Sequence, residues 1–180
     1  MPSADILLAF IITTTLFAYI PGPAMLYAAA QTLARGRNAG LMASLGIHIG
    51  CYAHIIAAAA GLSVLFHAVP MLYAAVKLAG ALYLVWLGFN LIFAKATDSQ
   101  PSPIAAKSSR AAFGQSIMVE VLNPKTAIFF MAFLPQFVDP AAGLPVWAQF
   151  VVLGAIVNLI FSSADIVCVF LAGAIVGRLR

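Results

Sequence analysis

Long apolar stretches alternate with short polar connections along the chain. A helix of about 20 apolar residues crosses roughly 30 Å of hydrocarbon. The stretches that reach this length cover approximately residues 5–33, 40–65, 70–94, 112–135 and 146–176. Because helices satisfy all their backbone groups within lipid, the pattern predicts an all-α integral membrane protein. We expect five transmembrane helices in a single membrane domain, residues 1–180.

Composition supports a membrane protein and argues against a soluble one. Hydrophobic residues make up 64% of the 180 residues and charged residues 8%, with a mean hydropathy of +1.07. Soluble domains are about half apolar and about a quarter charged. The segment from Met1 to Asp5 contains no Lys or Arg, so the positive region of a cleavable signal peptide is missing.

The basic residues indicate an orientation. Most of them lie in the connections after the first and third predicted spans and at the C-terminus: Arg35, Arg37, Lys95, Lys107, Arg110, Arg178 and Arg180. The connections at 66–69 and 136–145 contain none. Under the positive-inside rule, the basic segments face the cytoplasm and the N-terminus lies outside. The net charge of +4 is therefore interpreted as a topology signal, and no nucleic-acid partner is expected.

A polar connection divides the chain into two halves. Residues 95–111 are predicted to form a cytoplasmic linker between a first repeat, 1–94, and a second repeat, 112–180. Each half begins with a proline-containing span, and these two spans are predicted to run in opposite directions. This is the inverted repeat of many secondary transporters. The second half has two predicted spans against three in the first, so a sixth helix is expected to be missing.

The first and fourth spans are predicted to be broken at mid-membrane. The interrupting segments are Pro21-Gly22-Pro23 and Asn123-Pro124-Lys125. Proline lacks an N–H and disfavours helix in the residue before it. Broken backbone at this depth is tolerated where it is buried or lines a cavity, and the helix beyond the break would offer free N–H groups to a carboxylate. The alternative is a pair of ordinary proline kinks in packed helices.

Polar side chains within the last span are candidates for transport chemistry. Asn158, Ser162 and Asp165 are spaced i, i+4, i+7, so they share one helix face. Asp165 is predicted to bind a substrate ammonium or to carry a proton. The alternative is a carboxylate satisfied by a neighbouring lysine or by backbone.

Charged residues also flank the second break. Glu120 shares a helix face with Ser116 and Asn123. Two interpretations of Glu120 stand open: a role in transport like that of Asp165, or a structural ion pair with Lys125. Lys125 itself is predicted to stabilise a substrate carboxylate. Lys77, near the outer end of the third span, is expected to reach the membrane interface instead.

Glycines mark the expected packing faces. Gly46 and Gly50 are followed by His54 at steps of four, and small-xxx-small spacing allows helices to approach closely. His54 is therefore interpreted either as a proton relay or as a histidine hydrogen-bonded across a helix interface. Gly173 and Gly177 form a second packing pair. Such stripes also allow a homo-oligomer.

Cysteine and histidine spacing raises a second function. Cys51 and His54 are spaced i, i+3, as are Asp165 and Cys168, and such side chains bind soft cations. Metal-cation efflux is therefore an alternative, although nothing in the sequence shows that the pairs converge. The chain contains no phosphate-binding glycine loop, nucleophile elbow or zinc-protease motif. We expect neither an enzyme nor a cofactor nor a resident metal.

The motifs, in this order, resemble the LysE/RhtB family of amino-acid exporters. The resemblance rests on Ile20-Pro21-Gly22-Pro23, Ala34-Arg35-Gly36 with Gly40, Gly46 and Gly50 with His54, the segment from Lys77 to Leu84 with Leu87-Gly88, Leu122-Asn123-Pro124-Lys125, and Phe133-Leu134-Pro135-Gln136-Phe137-Val138. Asp165 falls where the family usually has an acidic residue. The glycines of the third span, Gly80 and Gly88, are expected to pack helices.

The resemblance implies export of amino acids or close derivatives from the bacterial cytoplasm, across the inner membrane and by proton antiport. Its partners would be the amino acid, protons and the lipid bilayer. Family members often carry Asp where Cys51 stands and Asn where Glu120 stands, which leaves coupling and substrate preference open. Members usually have a sixth span, so an inactive truncated membrane subunit is a further interpretation.

Overall fold

A computed structural model describes residues 4–62 and 109–179, with isolated positions between 64 and 82. Within these ranges the chain is helical apart from short turns and contains no β-strand. The predicted all-α architecture is therefore confirmed there. Most of the predicted third span, with Lys77, Gly80 and Gly88, lies outside the described residues, as does most of the 95–111 linker.

The first span consists of two helices. α1 runs from Ala4 to Ala18 and α2 from Pro23 to Arg35, and their axes differ by 48°. Gly22 is the N-cap of α2 in extended conformation, and Pro23 is its first residue. Proline is tolerated there because the first N–H of a helix has no helical acceptor. The predicted break at Pro21-Gly22-Pro23 is confirmed.

The second span follows the first with almost no connecting loop. α3 runs from Arg37 to Ala57 and continues as one π-helical turn, Ala58–Leu62. Gly36 alone separates α2 from α3, with a φ of 87° that side chains rarely adopt. The Gly36 N–H donates to the Thr32 carbonyl at 2.8 Å, which closes α2. The reversal brings α2 and α3 together as packed neighbours.

The fourth predicted span is also broken. α4 runs from Ser109 to Val121 and α5 from Pro124 to Ile128. A π-helical turn, Phe129–Phe133, and a 3-10 turn, Leu134–Phe137, complete the span. Asn123 is the N-cap of α5, and its side chain accepts a hydrogen bond from the Lys125 N–H at 3.1 Å. The predicted break at Asn123-Pro124-Lys125 is confirmed.

α6 is one continuous helix from Val146 to Leu179. Gln149, buried in its first turn, fixes the loop before it. The Gln149 side chain accepts from the Asp139 N–H at 3.0 Å and donates to the carbonyls of Asp139 and Leu144, both at 2.7 Å. These bonds hold the loop against the end of the helix, with Asn158 and Asp165 further along the same helix.

Glycines allow close approach between helices. A Cβ on Gly50 would lie 2.7 Å from the Ile117 carbonyl, and one on Gly46 would overlap Ser116, so α3 contacts the backbone of α4. A Cβ on Gly173 would lie 2.6 Å from the Arg37 guanidinium, which places that glycine of α6 against the start of α3. Gly177 lies in the last turns of α6.

The helices have the dimensions and exposure of membrane spans. Among the described residues, three helical segments are long and apolar enough to cross a bilayer, or four if the bent pair α1–α2 counts as one. They are Arg37–Leu62, Ala112–Phe137, Val146–Ile175 and the bent pair. Large apolar side chains such as Leu16, Ile56 and Leu159 are more than 60% exposed, whereas Glu120 and Asp165 are buried. This inside-out distribution is that of a membrane protein.

Candidate functional site

The two helix breaks and α6 enclose a small cavity, here called the central cavity. Its polar lining is contributed by Glu120, Asn123, Lys125 and Thr126 around the second break, by Asn158, Ser162 and Asp165 on α6, and by the backbone of Gly22. Apolar side chains such as Met25, Ile47 and Phe161 complete the wall. Its volume of about 20 Å³ holds about one water molecule. This space is too small to hold an amino acid.

The prolines create the breaks but do not line the cavity. Pro21, Pro23 and Pro124 are exposed, whereas Gly22 and Asn123 are buried. Proline therefore determines where each helix ends, and its neighbours supply the polar groups.

The two helix starts at the breaks differ. At α2 no side chain caps the N-terminus, and Gly22, Ala24 and Met25 line the cavity. At α5 the Asn123 side chain already occupies the Lys125 N–H. The start of α2 is therefore the less satisfied of the two anion-attracting ends.

Lys125 connects the two breaks. Its ammonium donates to the carbonyls of Ile20 and Ala18, the latter at 3.5 Å. These carbonyls lie at the end of α1, where the break leaves no helical N–H to bond them. The ammonium also lies 5.0 Å from the ring centre of Phe17 and 5.5 Å from that of Phe161, within cation–π range.

Glu120 is bonded to the second break rather than to Lys125. Its side chain is 2% exposed, and Oε2 accepts a hydrogen bond from Asn123 Nδ2 at 2.9 Å. The same Asn123 amide donates to Thr126 Oγ1 at 3.0 Å. In the described structure the Lys125 ammonium has no hydrogen bond to a carboxylate. The Glu120–Lys125 ion pair considered from the sequence is therefore not formed in this arrangement.

Asp165 differs from Glu120 because no described residue donates a hydrogen bond to its carboxylate. The side chain is 5% exposed and lines the central cavity. Glu120 and Lys125 lie close enough to act on it electrostatically. When all three groups are ionised, two negative charges face one positive charge. The cavity then has one net negative charge, which one further positive group would neutralise.

A second polar cluster joins α3 to α6. Asn158 Nδ2 donates to the His48 carbonyl at 3.1 Å, and His48 Nδ1 lies 2.7 Å from Ser162 Oγ. Ser162 also donates to Asn158 Oδ1 at 3.4 Å. Sequence reasoning did not single out His48, although an ionisable residue within a predicted span was the available signal.

His54 faces a different part of the molecule. Its Nε2 donates to the Glu120 carbonyl at 2.8 Å, and its ring stacks on Phe130 with centroids 5.9 Å apart. It lines a second, mostly apolar cavity of about 340 Å³ with Gly61 and Met131. These contacts are those of a histidine hydrogen-bonded across a helix interface, next to the second break but outside the central cavity.

The cysteine pairs do not form a common cluster. Cys51 is buried and lines the central cavity, and Cys168 is partly buried beside the core of Ala18, Met25 and Ala164. Across the described ranges, no group of three or more His, Cys, Asp or Glu side chains is placed to hold a metal ion. The metal hypothesis therefore has no ligand set in the part of the chain that is described.

A helical membrane protein with two broken spans around a charged cavity has the architecture of a secondary transporter. Residues 15–180 match the family model of the LysE type translocators, and the chain belongs to this family. The family resemblance inferred from the motifs is confirmed.

Named relatives of this chain include efflux proteins. It is 30% identical to a leucine efflux protein of Klebsiella pneumoniae over 173 residues, covering 95% of this chain and 80% of that protein. It is 30% identical to a homoserine/homoserine lactone efflux protein of Salmonella typhimurium over 146 residues, covering 81% and 70%. It is also 31% identical to an uncharacterized membrane protein of Vibrio cholerae over 147 residues, covering 82% and 71%. No solved structure gives a significant match.

Proposed function

We propose that this protein exports amino acids or close derivatives from the bacterial cytoplasm in exchange for protons. The observation that carries the proposal is the charge balance of the central cavity, where Asp165 and Glu120 face the single ammonium of Lys125. The printed names of the relatives support amino acids as the class of cargo.

A zwitterion has groups that match both sides of this cavity. The substrate ammonium would bind Asp165, whose carboxylate has no hydrogen bond from a described residue and is 5% exposed. The substrate carboxylate would bind Lys125 and the uncapped start of α2 at Gly22. Glu120, already bonded to Asn123, holds the shape of the break and adds negative charge near the ammonium.

Competition for the same negative charge provides the coupling to protons. A proton on Asp165 and a substrate ammonium beside it each neutralise the same carboxylate, so binding of one disfavours the other. Protonation from outside would release the amino acid, and loss of the proton to the cytoplasm would restore the site. Export and proton entry would thereby alternate at one residue.

The small volume of the central cavity requires movement during this cycle. Space of about 20 Å³ cannot hold an amino acid, so the broken helices must separate from α6 to admit one. The proposed inverted repeat, residues 1–94 and 112–180, would rock around this site. The protein would lie in the inner membrane with its N-terminus outside and residues 95–111 in the cytoplasm.

The test is efflux from reconstituted vesicles. Proteoliposomes loaded with radiolabelled leucine or homoserine should release them saturably. Release should be faster when the external medium is more acidic than the lumen, because protons then enter as the amino acid leaves. An ionophore that collapses the proton gradient should remove this acceleration. Protein-free liposomes of the same lipid composition, loaded in the same way, are the control for passive leak. Absence of saturable, gradient-dependent efflux for all the proteinogenic amino acids would reject the proposal.

The inactive-subunit interpretation has its own experiment. If the chain shows no efflux, a fusion that appends one further transmembrane helix after Arg180 should be measured in the same vesicles. If the fusion gains efflux, the present chain is an incomplete transporter. Efflux by the chain alone would exclude that interpretation.

A further inference from the structure

The side chain of Lys125 crosses from one helix break to the other. Its backbone lies in the first turn of α5, and its ammonium bonds the carbonyls of Ile20 and Ala18 at the end of α1. Just beyond α1, the Tyr19 N–H donates to the Thr15 carbonyl at 3.4 Å and the Ile20 N–H to the Phe17 carbonyl at 3.2 Å, whereas no turn or cap N–H of the described residues donates to the carbonyls of Ala18 and Ile20. Lys125 therefore donates to carbonyls at the end of α1 that have no helical N–H partner.

The backbone around this connection is shaped to admit the lysine stem. A Cβ on Gly22 would lie 2.6 Å from Lys125 Cδ and 3.7 Å from its Cβ and Cε. Gly22 has a φ of −135°, which any residue adopts, so the space for the stem and not the backbone angle requires glycine there. This steric fit is independent of the hydrogen bonds and supports the same contact.

The backbone carbonyls that accept from Lys125 are neutral, whereas the proposed amino-acid substrate carries a negatively charged carboxylate. A hydrogen bond from an ammonium to a carboxylate is stronger than one to a neutral carbonyl. A carboxylate that enters the central cavity beside Lys125 would therefore compete with Ile20 and Ala18 for the ammonium. Loss of those bonds would leave the end of α1 unconnected to α5.

We propose that Lys125 is a latch, which holds the two helix breaks together while the site is empty and is released when a substrate carboxylate replaces the Ile20 and Ala18 carbonyls as its acceptor. The inference rests on the proposed function for the identity of the ligand, a molecule with a free carboxylate. The latch itself is a property of the empty site. A carboxylate that reaches Lys125 would thereby free the two broken helices to separate and admit the rest of the substrate.

The native Cys51 reports on this opening. Its thiol lines the central cavity and is 2% exposed, so a closed latch should keep it from a small maleimide. The experiment uses the full chain carrying Cys168→Ser, in lipid nanodiscs, and measures the rate of Cys51 labelling. Lys125→Met, which keeps the apolar stem and removes the ammonium, should raise that rate about tenfold or more without substrate.

A second variant opens the latch without removing charge. Gly22→Ala should also raise the labelling rate, because the added methyl displaces the Lys125 stem. Gly143→Ala is the matched control, since a Cβ there meets nothing within 4 Å, and it should label at the parent rate. Size-exclusion profiles establish that each variant is folded, and either folded variant suffices for the comparison.

Labelling of Cys51 in the presence of ligands tests whether a carboxylate releases Lys125 from the Ile20 and Ala18 carbonyls. Leucine or homoserine should raise Cys51 labelling in the parent, their carboxamides should not, and neither should affect Lys125→Met. Labelling of folded Lys125→Met or Gly22→Ala at the parent rate would overturn the latch, even if efflux is normal. Equal effects of acid and amide, or no effect of either acid, would overturn release by a carboxylate. Efflux that is absent while both variants label faster would reject the proposed function and leave the latch standing.

Discussion

At the scale of single residues, the two buried carboxylates have different surroundings. Glu120 accepts a hydrogen bond from Asn123 within the second break. Asp165 faces the central cavity without a hydrogen-bond donor from the described residues. A carboxylate that already accepts a hydrogen bond from the protein, such as Glu120, is expected to stabilise the local fold. A carboxylate without such a donor, such as Asp165, is expected to bind the substrate ammonium or a proton.

The two carboxylates should therefore respond differently to neutral substitution. Asp165→Asn should lower the saturable efflux rate by about a hundredfold or more, because it removes the charge that binds the substrate ammonium. Glu120→Gln keeps an oxygen that accepts from Asn123, so it should retain measurable efflux. Initial rates from loaded proteoliposomes compare the two, normalised to protein content. Equal losses, or normal efflux by Asp165→Asn, would contradict the assignment.

Neighbouring serines on α6 provide a second comparison. Ser162 Oγ lies 2.7 Å from His48 Nδ1 on α3, whereas the exposed Ser163 donates to the Ile160 carbonyl of its own helix at 2.6 Å. Ser162→Ala should lower the free energy of unfolding by about 1 kcal/mol, and Ser163→Ala should change it by less. Thermal melting in detergent measures both. A larger effect of Ser163→Ala would show that the His48 contact does not stabilise the pair of helices.

Sequence reasoning identifies polar residues but not their partners. Asp165, Asn158 and Lys125 stand out because charge or amide is costly in an apolar span. The bond from Lys125 to Ile20 joins residues far apart in the chain, so no local pattern reports it. The same holds for His48, whose Ser162 partner is on another helix.

At the scale of helices, proline predicts where the chain breaks but not the type of helix beyond each break. Both breaks result from the missing N–H of proline and the strain on the residue before it. The π-helical turns at Ala58–Leu62 and Phe129–Phe133 were not predicted. Such turns carry no residue signature of their own and arise where packing shifts the hydrogen bonds of a helix by one residue.

The contact between α3 and α4 should be intolerant of added volume. A methyl on Gly50 would lie 2.7 Å from the Ile117 carbonyl and 2.9 Å from Glu120 Cβ. Since backbone must move to make room, Gly50→Ala should cost about 1–3 kcal/mol of stability. Gly114→Ala, in α4 itself, is the control because a Cβ there meets nothing within 4 Å. Thermal melting of both variants tests the contact, and equal melting temperatures would contradict it.

At the scale of the whole molecule, apolar surface surrounds a charged interior. Exposed side chains such as Leu16 and Leu159 cover the outside, and the buried Glu120 and Asp165 lie near the breaks. Composition predicted this distribution, because a chain with 8% charged residues cannot cover a soluble surface. Which side of the membrane each end faces depends on the basic connections instead.

The orientation can be measured at two exposed positions, one in the first turn of α3 and one in the loop before α6. Asn38 comes just after the Gly36 turn, and Ala141 lies in the loop before α6. α3, the third span proposed at 70–94 and the broken α4–α5 span lie between them. Three crossings place the two positions on opposite sides of the membrane, whereas two crossings would place them on the same side. The positive-inside rule assigns Asn38 to the cytoplasm and Ala141 to the outside.

Single cysteines at these positions, in a background with Cys51→Ala and Cys168→Ser, should therefore differ toward a membrane-impermeant maleimide in spheroplasts. Ala141→Cys should label in intact spheroplasts, and Asn38→Cys only after permeabilisation. The reverse pattern would contradict the orientation that the positive-inside rule predicts and would place residues 95–111 outside. Labelling of both from one side would remove the third crossing, and with it the inverted repeat on which movement around the central cavity depends.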